Sequence, residues 1–122
     1  MVDVICDTSF LIHLATKKIK NIDNIDIEIG PIHFVVPETV KNELKKLCND
    51  KNKKPQAEKT LNFIKDLKTI PISGKYADEA LMSYIKNHGG MIATMDKELK
   101  NKAKLFGASI ITFSNDRIIL DS

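Results

Sequence analysis

Four carboxylates hold the chemistry that can be read from the chain: Asp7, Glu43, Asp78 and Asp96. Asp7 follows the short β-branched run Val2-Asp3-Val4-Ile5-Cys6, and Asp96 follows residues 91–94, so both stand after expected strands. In a parallel α/β sheet, ligands gather beyond the carboxyl ends of the strands, near the point where strand order reverses. If those two strands are neighbours, the two carboxylates face one crevice. Glu43 precedes the inward-facing Leu44 and borders the core, and Asp78 lies in the first turn of a helix expected over 76–86. Acids gathered at one crevice repel one another, and a metal ion would offset that repulsion. No histidine–cysteine cluster suggests zinc, and all-oxygen ligation favours Mg²⁺ or Mn²⁺.

Each acid also has a plainer role open to it. Asp7 can be a turn or cap residue, Asp96 a helix cap, Asp78 a partner of a helix dipole and Glu43 a solvated rim charge. Taken singly, these readings are at least as good as ligation; taken together they are weaker. Ser9, two residues past Asp7, can hydrogen-bond Asp7 or a water, and can equally cap a helix over 10–17. Asp116 is better read as a turn aspartate than as a fifth acid. His13 and His33 are expected to be packed, and His88 to belong to a helix-ending turn. No Ser/His/Asp arrangement and no glycine-rich phosphate loop is legible.

The elements that must position these acids alternate along the chain. Strands are expected at 2–6, 32–36, 69–72, 91–94 and 109–113, with a further edge strand at 117–120. Helices are expected at 10–17, 38–48, 56–68, 76–86 and 96–106. Val40, Leu44 and Leu47 recur at i, i+4, i+7. Ala77, Ala80, Leu81, Tyr84 and Ile85 recur at i, i+3, i+4, i+7, i+8. Phe63 is placed on or near the apolar face of its helix, and Phe106 inward. Residues 21–30 alternate isoleucine with polar residues and read as a short strand or a loose excursion. Such alternation implies an α/β fold, a parallel sheet with helices on both faces, in a single domain over 1–122.

With the elements in place, the sequence resembles the PIN-domain ribonucleases over nearly its whole length. Val4-Ile5-Cys6-Asp7-Thr8-Ser9-Phe10-Leu11 resembles the family's first motif. Residues 35–44, Val-Val-Pro-Glu-Thr-Val-Lys-Asn-Glu-Leu, resemble the second, with Glu43 in the acidic position. Tyr76-Ala77-Asp78-Glu79-Ala80-Leu81 resembles the third. Ile92-Ala93-Thr94-Met95-Asp96-Lys97-Glu98-Leu99, followed by Gly107-Ala108-Ser109-Ile110-Ile111, resembles the fourth. The spacing fits as well: 36 residues from Asp7 to Glu43, 35 on to Asp78 and 18 on to Asp96.

The resemblance implies a three-layer α/β/α fold with strand order 3-2-1-4-5, and metal-dependent cleavage of single-stranded RNA. It also implies an antitoxin or a ribosome-assembly factor as partner, and leaves room for a homodimer. The run Arg117-Ile-Ile-Leu is more similar to archaeal relatives of rRNA-processing PIN proteins than to toxins of toxin–antitoxin pairs. Hydrolysis would use Asp7 and Asp96 as direct metal ligands, since both stand on rigid strand ends. Glu43 and Asp78 would act through water or a second ion. Two other readings compete: a PIN-like module that binds RNA or protein without cutting, and a receiver-like domain. The four motif acids argue against the first. The second lacks an acid pair at the first strand end, because Asp3 and Asp7 do not form one.

Composition is compatible with this. The 122 residues are 43% hydrophobic and 29% charged, ordinary values for one globular domain. No apolar run approaches the roughly 18 residues of a membrane span, and Met1-Val2-Asp3 has no basic flank before an apolar stretch, so a cytoplasmic protein is expected. Cys6 and Cys48 match no metal or redox spacing and are expected to be buried thiols. The net charge of +3 permits a nucleic-acid partner without demanding one. Arg117 is the only arginine, so bidentate base reading is largely closed to the chain. Lys41, Lys45 and Lys46 share a helix with Glu43 and could track an RNA backbone. Tyr76 is the one aromatic near the acids that could stack on a base.

Overall fold

The computed structural model describes residues 2–25, 29–74 and 76–121. Six strands form one sheet in the order β3-β2-β1-β4-β5-β6. They are β1 (Val2–Cys6), β2 (Ile32–Pro37), β3 (Lys68–Ile70), β4 (Met91–Ala93), β5 (Ser109–Ser114) and β6 (Arg117–Asp121). The first five pair in parallel, with Ile5 beside Val35 on one side and Ile92 on the other. β6 returns antiparallel to β5 through a tight turn in which Asn115 and Asp116 take positive φ, the geometry of a primed hairpin turn. The expected order 3-2-1-4-5 therefore holds, and the edge strand completes it.

The helices are α1 (Thr8–Thr16), α2 (Glu38–Leu47), α3 (Lys54–Ile64), α4 (Ala77–His88) and α5 (Lys97–Leu105). Right-handed crossovers put α1, α2 and α3 on one face of the sheet and α4 and α5 on the other. α1, α2 and α3 touch one another and α4 touches α5, while α2 also meets α4. Because both faces are covered, the inner stretches of the central strands are apolar. Val4, Ile5, Val35, Val36, Ile92, Ile110 and Ile111 are all buried. Phe10 of α1 stacks on Phe113 of β5 with centroids 4.6 Å apart and meets Phe34 of β2 at 5.6 Å, bracing α1 across the sheet.

Several local expectations give way to tertiary context. α3 ends at Ile64, and Phe63, one position off its buried stripe of Ala57, Thr60 and Ile64, is exposed. Phe106 lies three residues past Ala103, but the helix has already ended there, and its ring is 46% exposed. Cys6 is buried, whereas Cys48 at the end of α2 is only half-buried. Residues 22–24 form a single 3₁₀ turn where a strand or excursion was expected, and residues 26–28 of that stretch lie outside the described residues. No helix among the described residues is long and apolar enough to cross a membrane.

Candidate active site

Strand order reverses between β1 and β4, which run side by side. The Asp7 N–H donates to the Ala93 carbonyl at 3.0 Å and carries the ladder one step past β1. Asp7 is thereby fixed at the switch point, where an open α/β sheet offers its ligand crevice. It is also the N-cap of α1: its Oδ1 accepts from the Phe10 N–H at 2.9 Å. The sequence left the cap open between Asp7 and Ser9, and Asp7 takes it. Ser9 lies inside the first turn, and its hydroxyl makes the other bond expected of it, donating to Asp7 Oδ1 at 2.9 Å.

Thr94 was not singled out from the sequence. It follows β4 and is fully buried, and its hydroxyl donates to Asp7 Oδ2. The signal for it was present in a hydroxyl two residues before a strand-end acid, but without the pairing of β1 with β4 nothing aims that hydroxyl at Asp7.

Three of the four expected acids act on one another. Burial pushes the Asp7 carboxyl up from 3.8 to about 6, against the pull of its hydrogen bonds from Thr94, Phe10 and Ser9, and the charge of Asp78 raises it further. Asp78, in the exposed first turn of α4, is raised by desolvation first and then by repulsion from Asp96, with Lys102 opposing. Asp96 is the N-cap of α5, accepting from the Glu98 and Leu99 N–H groups at 2.9 and 3.3 Å. Capping and membership of an acidic group therefore coexist at Asp7 and Asp96.

Glu43 is placed by α2 and the loop before α4. It is half-buried on α2 and lines a hollow of about 380 Å³ with Thr39, Asn42, Lys45, Lys46 and Gly74. Thr39 fixes that wall: its N–H donates to the Ile72 carbonyl at 3.0 Å and its hydroxyl to the Gly74 carbonyl at 3.1 Å.

Asp116 lies in the β5–β6 turn and pairs with His13 Nε2 at 3.0 Å, and the His13 ring packs on Phe113. His33 pairs with Asp3 at 3.3 Å. The Cys6 thiol is pushed well above its ordinary value, by burial first and the neighbouring Asp7 second, which leaves it unreactive.

The donor chemistry at Asp7, Asp78 and Asp96 suits a hard divalent cation. All the available ligands are oxygens, and two of the carboxylates are raised, by burial first and then by a neighbouring carboxylate whose repulsion a cation would offset. Thr8 Oγ1, next to Asp7, is buried with no hydrogen-bond partner among the described residues. The set is not closed around an ion. Among the described residues, no three Asp, Glu, His or Cys side chains stand close enough together to hold one.

Comparison with known proteins accords with this geometry. The family described as "PIN like domain" matches residues 4–115. The chain is 34% identical over 112 residues to Ribonuclease VapC4 of Methanocaldococcus jannaschii, covering 84% of this chain and 82% of that one. Its fold superimposes on the PIN domain endonuclease Utp24 with a TM-score of 0.80 and 25% identity, over 98% of this chain and 90% of that one. The topology, the acids at the strand-order reversal and these matches lead to one assignment: the chain belongs to the PIN-domain ribonuclease family.

Proposed function

We propose that this protein is a divalent-metal-dependent endoribonuclease that cleaves single-stranded RNA at the crevice between β1 and β4. The observation that carries the reading is Asp7, a buried carboxylate at the strand-order reversal whose charge is opposed by that of Asp78. Asp7 and Asp96 are the direct ligands in this reading, and Asp78 and Glu43 act through water or a second ion. Bound Mg²⁺ or Mn²⁺ supplies a water of lowered pKa and relief of the charge that develops on the phosphate.

The chain's own groups do the rest. Asp7 is held by three hydrogen bonds, so its carboxylate is pre-oriented. Lys45 and Lys46 share the hollow of Glu43 and offer positive charge to an RNA backbone on the α2 side, whereas Glu79 and Glu98 make the α4–α5 side acidic. Its cytoplasmic partners would be RNA, as the ribonuclease relative suggests, together with an antitoxin or a ribosome-assembly factor, as the family resemblance implies. A small adjacent reading frame with a DNA-binding motif would mark the toxin role. The decisive assay is cleavage of a mixed single-stranded RNA with Mg²⁺ or Mn²⁺. Activity that survives both EDTA and Asp7→Asn excludes the metal mechanism.

One observation favours a second reading, a PIN-like module that binds RNA or protein without cutting it: no three metal-ligating side chains are gathered among the described residues. A wild type that binds RNA but cuts no single-stranded substrate under any divalent metal would establish it.

A further inference from the structure

Helical periodicity alone would bury Phe106, and the way α5 ends explains its exposure. The Gly107 N–H donates to the Lys104 carbonyl at 3.0 Å and the Ala108 N–H to the Ala103 carbonyl at 3.1 Å, with Gly107 at a φ of 80°. These two bonds are the Schellman closure of a helix. The chain turns back to the sheet through Ala103 and Ala108, which are buried, and Phe106 is left at the C-cap on the outside. A local rule that fails in this way marks a place where function can be sought.

With Met82, Leu99 and Leu105, Phe106 forms the apolar floor of a hollow of about 410 Å³ between α4 and α5. The rim is polar, with Asp78 and Glu79 from α4 and Glu98 and Lys102 from α5. Lys102 is engaged with Glu98 at 3.2 Å, whereas Glu79 takes part in no ion pair among the described residues. Asp78 belongs to the hollow and to the acidic group at once, because its charge acts on Asp7 and that of Asp96 acts on it. The hollow therefore adjoins the crevice between β1 and β4.

An apolar floor, an exposed ring and an unpaired carboxylate suit a flat, uncharged group with hydrogen-bond donors along its edge. Phosphate does not suit, since the rim sets three carboxylates against one engaged lysine. In single-stranded RNA the two can separate: the phosphates follow positive charge, and unstacked bases lie on aromatic rings and are read along their edges. A carboxylate has two acceptor oxygens. Guanine is the RNA base that presents two adjacent donors to it, the N1 imino and N2 amino groups of the Watson–Crick edge.

Building on the nuclease reading, we propose that the α4–α5 hollow is a base subsite that takes an unstacked guanine of the RNA substrate, with Phe106 as its stacking platform and Glu79 as the acceptor of its N1 and N2 hydrogens. The backbone of the same strand then passes over Lys45 and Lys46 on the α2 side, so charge and base are read on opposite sides of the acids.

Guanosine, inosine and uridine are titrated into the metal-free protein, and the chemical shifts of the Met82 methyl and the Phe106 ring are followed. Guanosine is expected to shift both signals. Inosine lacks the N2 amino group and should bind about fivefold more weakly or worse, and uridine no better than inosine. Phe106→Leu keeps the apolar cover without the ring and should weaken guanosine about fivefold or more, whereas Phe106→Tyr should match wild type. Glu79→Ala should make guanosine and inosine bind alike, and it still decides the matter if Phe106→Leu does not fold. In cleavage of a mixed single-stranded RNA, wild-type cuts should fall at a fixed distance from guanines, and Glu79→Ala should lose that preference. Hollow signals that ignore guanosine overturn the subsite, and so does a preference for guanosine that survives Glu79→Ala. Signals that respond to a helical peptide of leucine and lysine but not to guanosine overturn it in favour of a protein-docking surface. The nucleoside titration needs no catalysis: a wild type that cuts no RNA defeats the nuclease reading, while the titration decides the subsite separately.

Discussion

Asp78 and Asp7 stand 71 positions apart in the chain, one on the first turn of α4 and one at the end of β1, and the charge of the first raises the carboxyl of the second. That repulsion adds to the cost of burying Asp7, whose carboxyl is raised from 3.8 to about 6.

The consequence for stability has a definite sign. The folded state holds the Asp7 proton more tightly than the unfolded chain does. Metal-free stability should therefore fall as pH rises from about 4 to about 6, and the full penalty should apply above that. The gap between 3.8 and about 6 corresponds to roughly 3 kcal/mol. Asp7→Asn should recover about 1–3 kcal/mol of this at pH 7 in EDTA, less what is lost in hydrogen bonding, and almost none at pH 4. Urea melts at both pH values measure it. A difference between variant and wild type that is the same at pH 4 and pH 7 would show that the buried charge costs nothing.

Divalent metal should act in the opposite direction. An ion bound only by the folded state raises stability by about 2.7 kcal/mol at one hundred times its Kd. Thermal scans with and without millimolar Mn²⁺ should show the shift in wild type and a smaller one in Asp78→Asn. A wild type whose Tm ignores Mn²⁺ would point to the binding-module reading.

In the cleavage assay, Asp7→Asn and Asp96→Asn should abolish activity with the fold intact, since asparagine also serves as an N-cap. Glu43→Gln and Asp78→Asn should weaken cleavage less if they act through water. Asp116→Asn should stay within about twofold of wild type, because Asp116 is engaged with His13 in the hairpin turn. A large loss in Asp116→Asn with the fold intact would add a fifth acid to the site.

Lys45→Gln and Lys46→Gln should raise KM with little change in kcat. Each should also reduce the slope of log affinity against log salt by about 0.7, the value for one phosphate contact on a single strand. Slopes equal to wild type would show that these lysines merely solvate α2.

Asn21 should matter for stability alone. It is buried, and its side-chain amide donates to the Ile118 carbonyl at 2.9 Å and accepts from the Ile118 N–H at 2.8 Å, pinning the segment after α1 to β6. Asn21→Ala leaves both backbone groups without those bonds and should cost about 2–4 kcal/mol in a denaturant melt. A loss under about 0.5 kcal/mol would mean that water replaces the amide.

The sequence by itself determined the alternation of strands and helices, because period-3.6 stripes such as Leu81 and Ile85 and unbroken apolar runs such as Val35-Val36 are local patterns, each set by which face must be buried. It also determined that Asp7 and Asp96 follow neighbouring strands once the family resemblance supplied the strand order. Only the tertiary structure decided what holds those acids. The bond from Thr94 to Asp7 spans 87 positions and exists because β1 lies beside β4, and the clasp of Asn21 on Ile118 spans 97. Neither leaves a periodic trace, since a single side chain meeting a distant partner repeats nothing along the chain. The same holds for Glu43. Its place on α2 was legible, but the hollow it lines depends on how Thr39 anchors the loop before α4. Local patterning chooses which surfaces are buried; the docking of those surfaces sets the distances on which the chemistry depends.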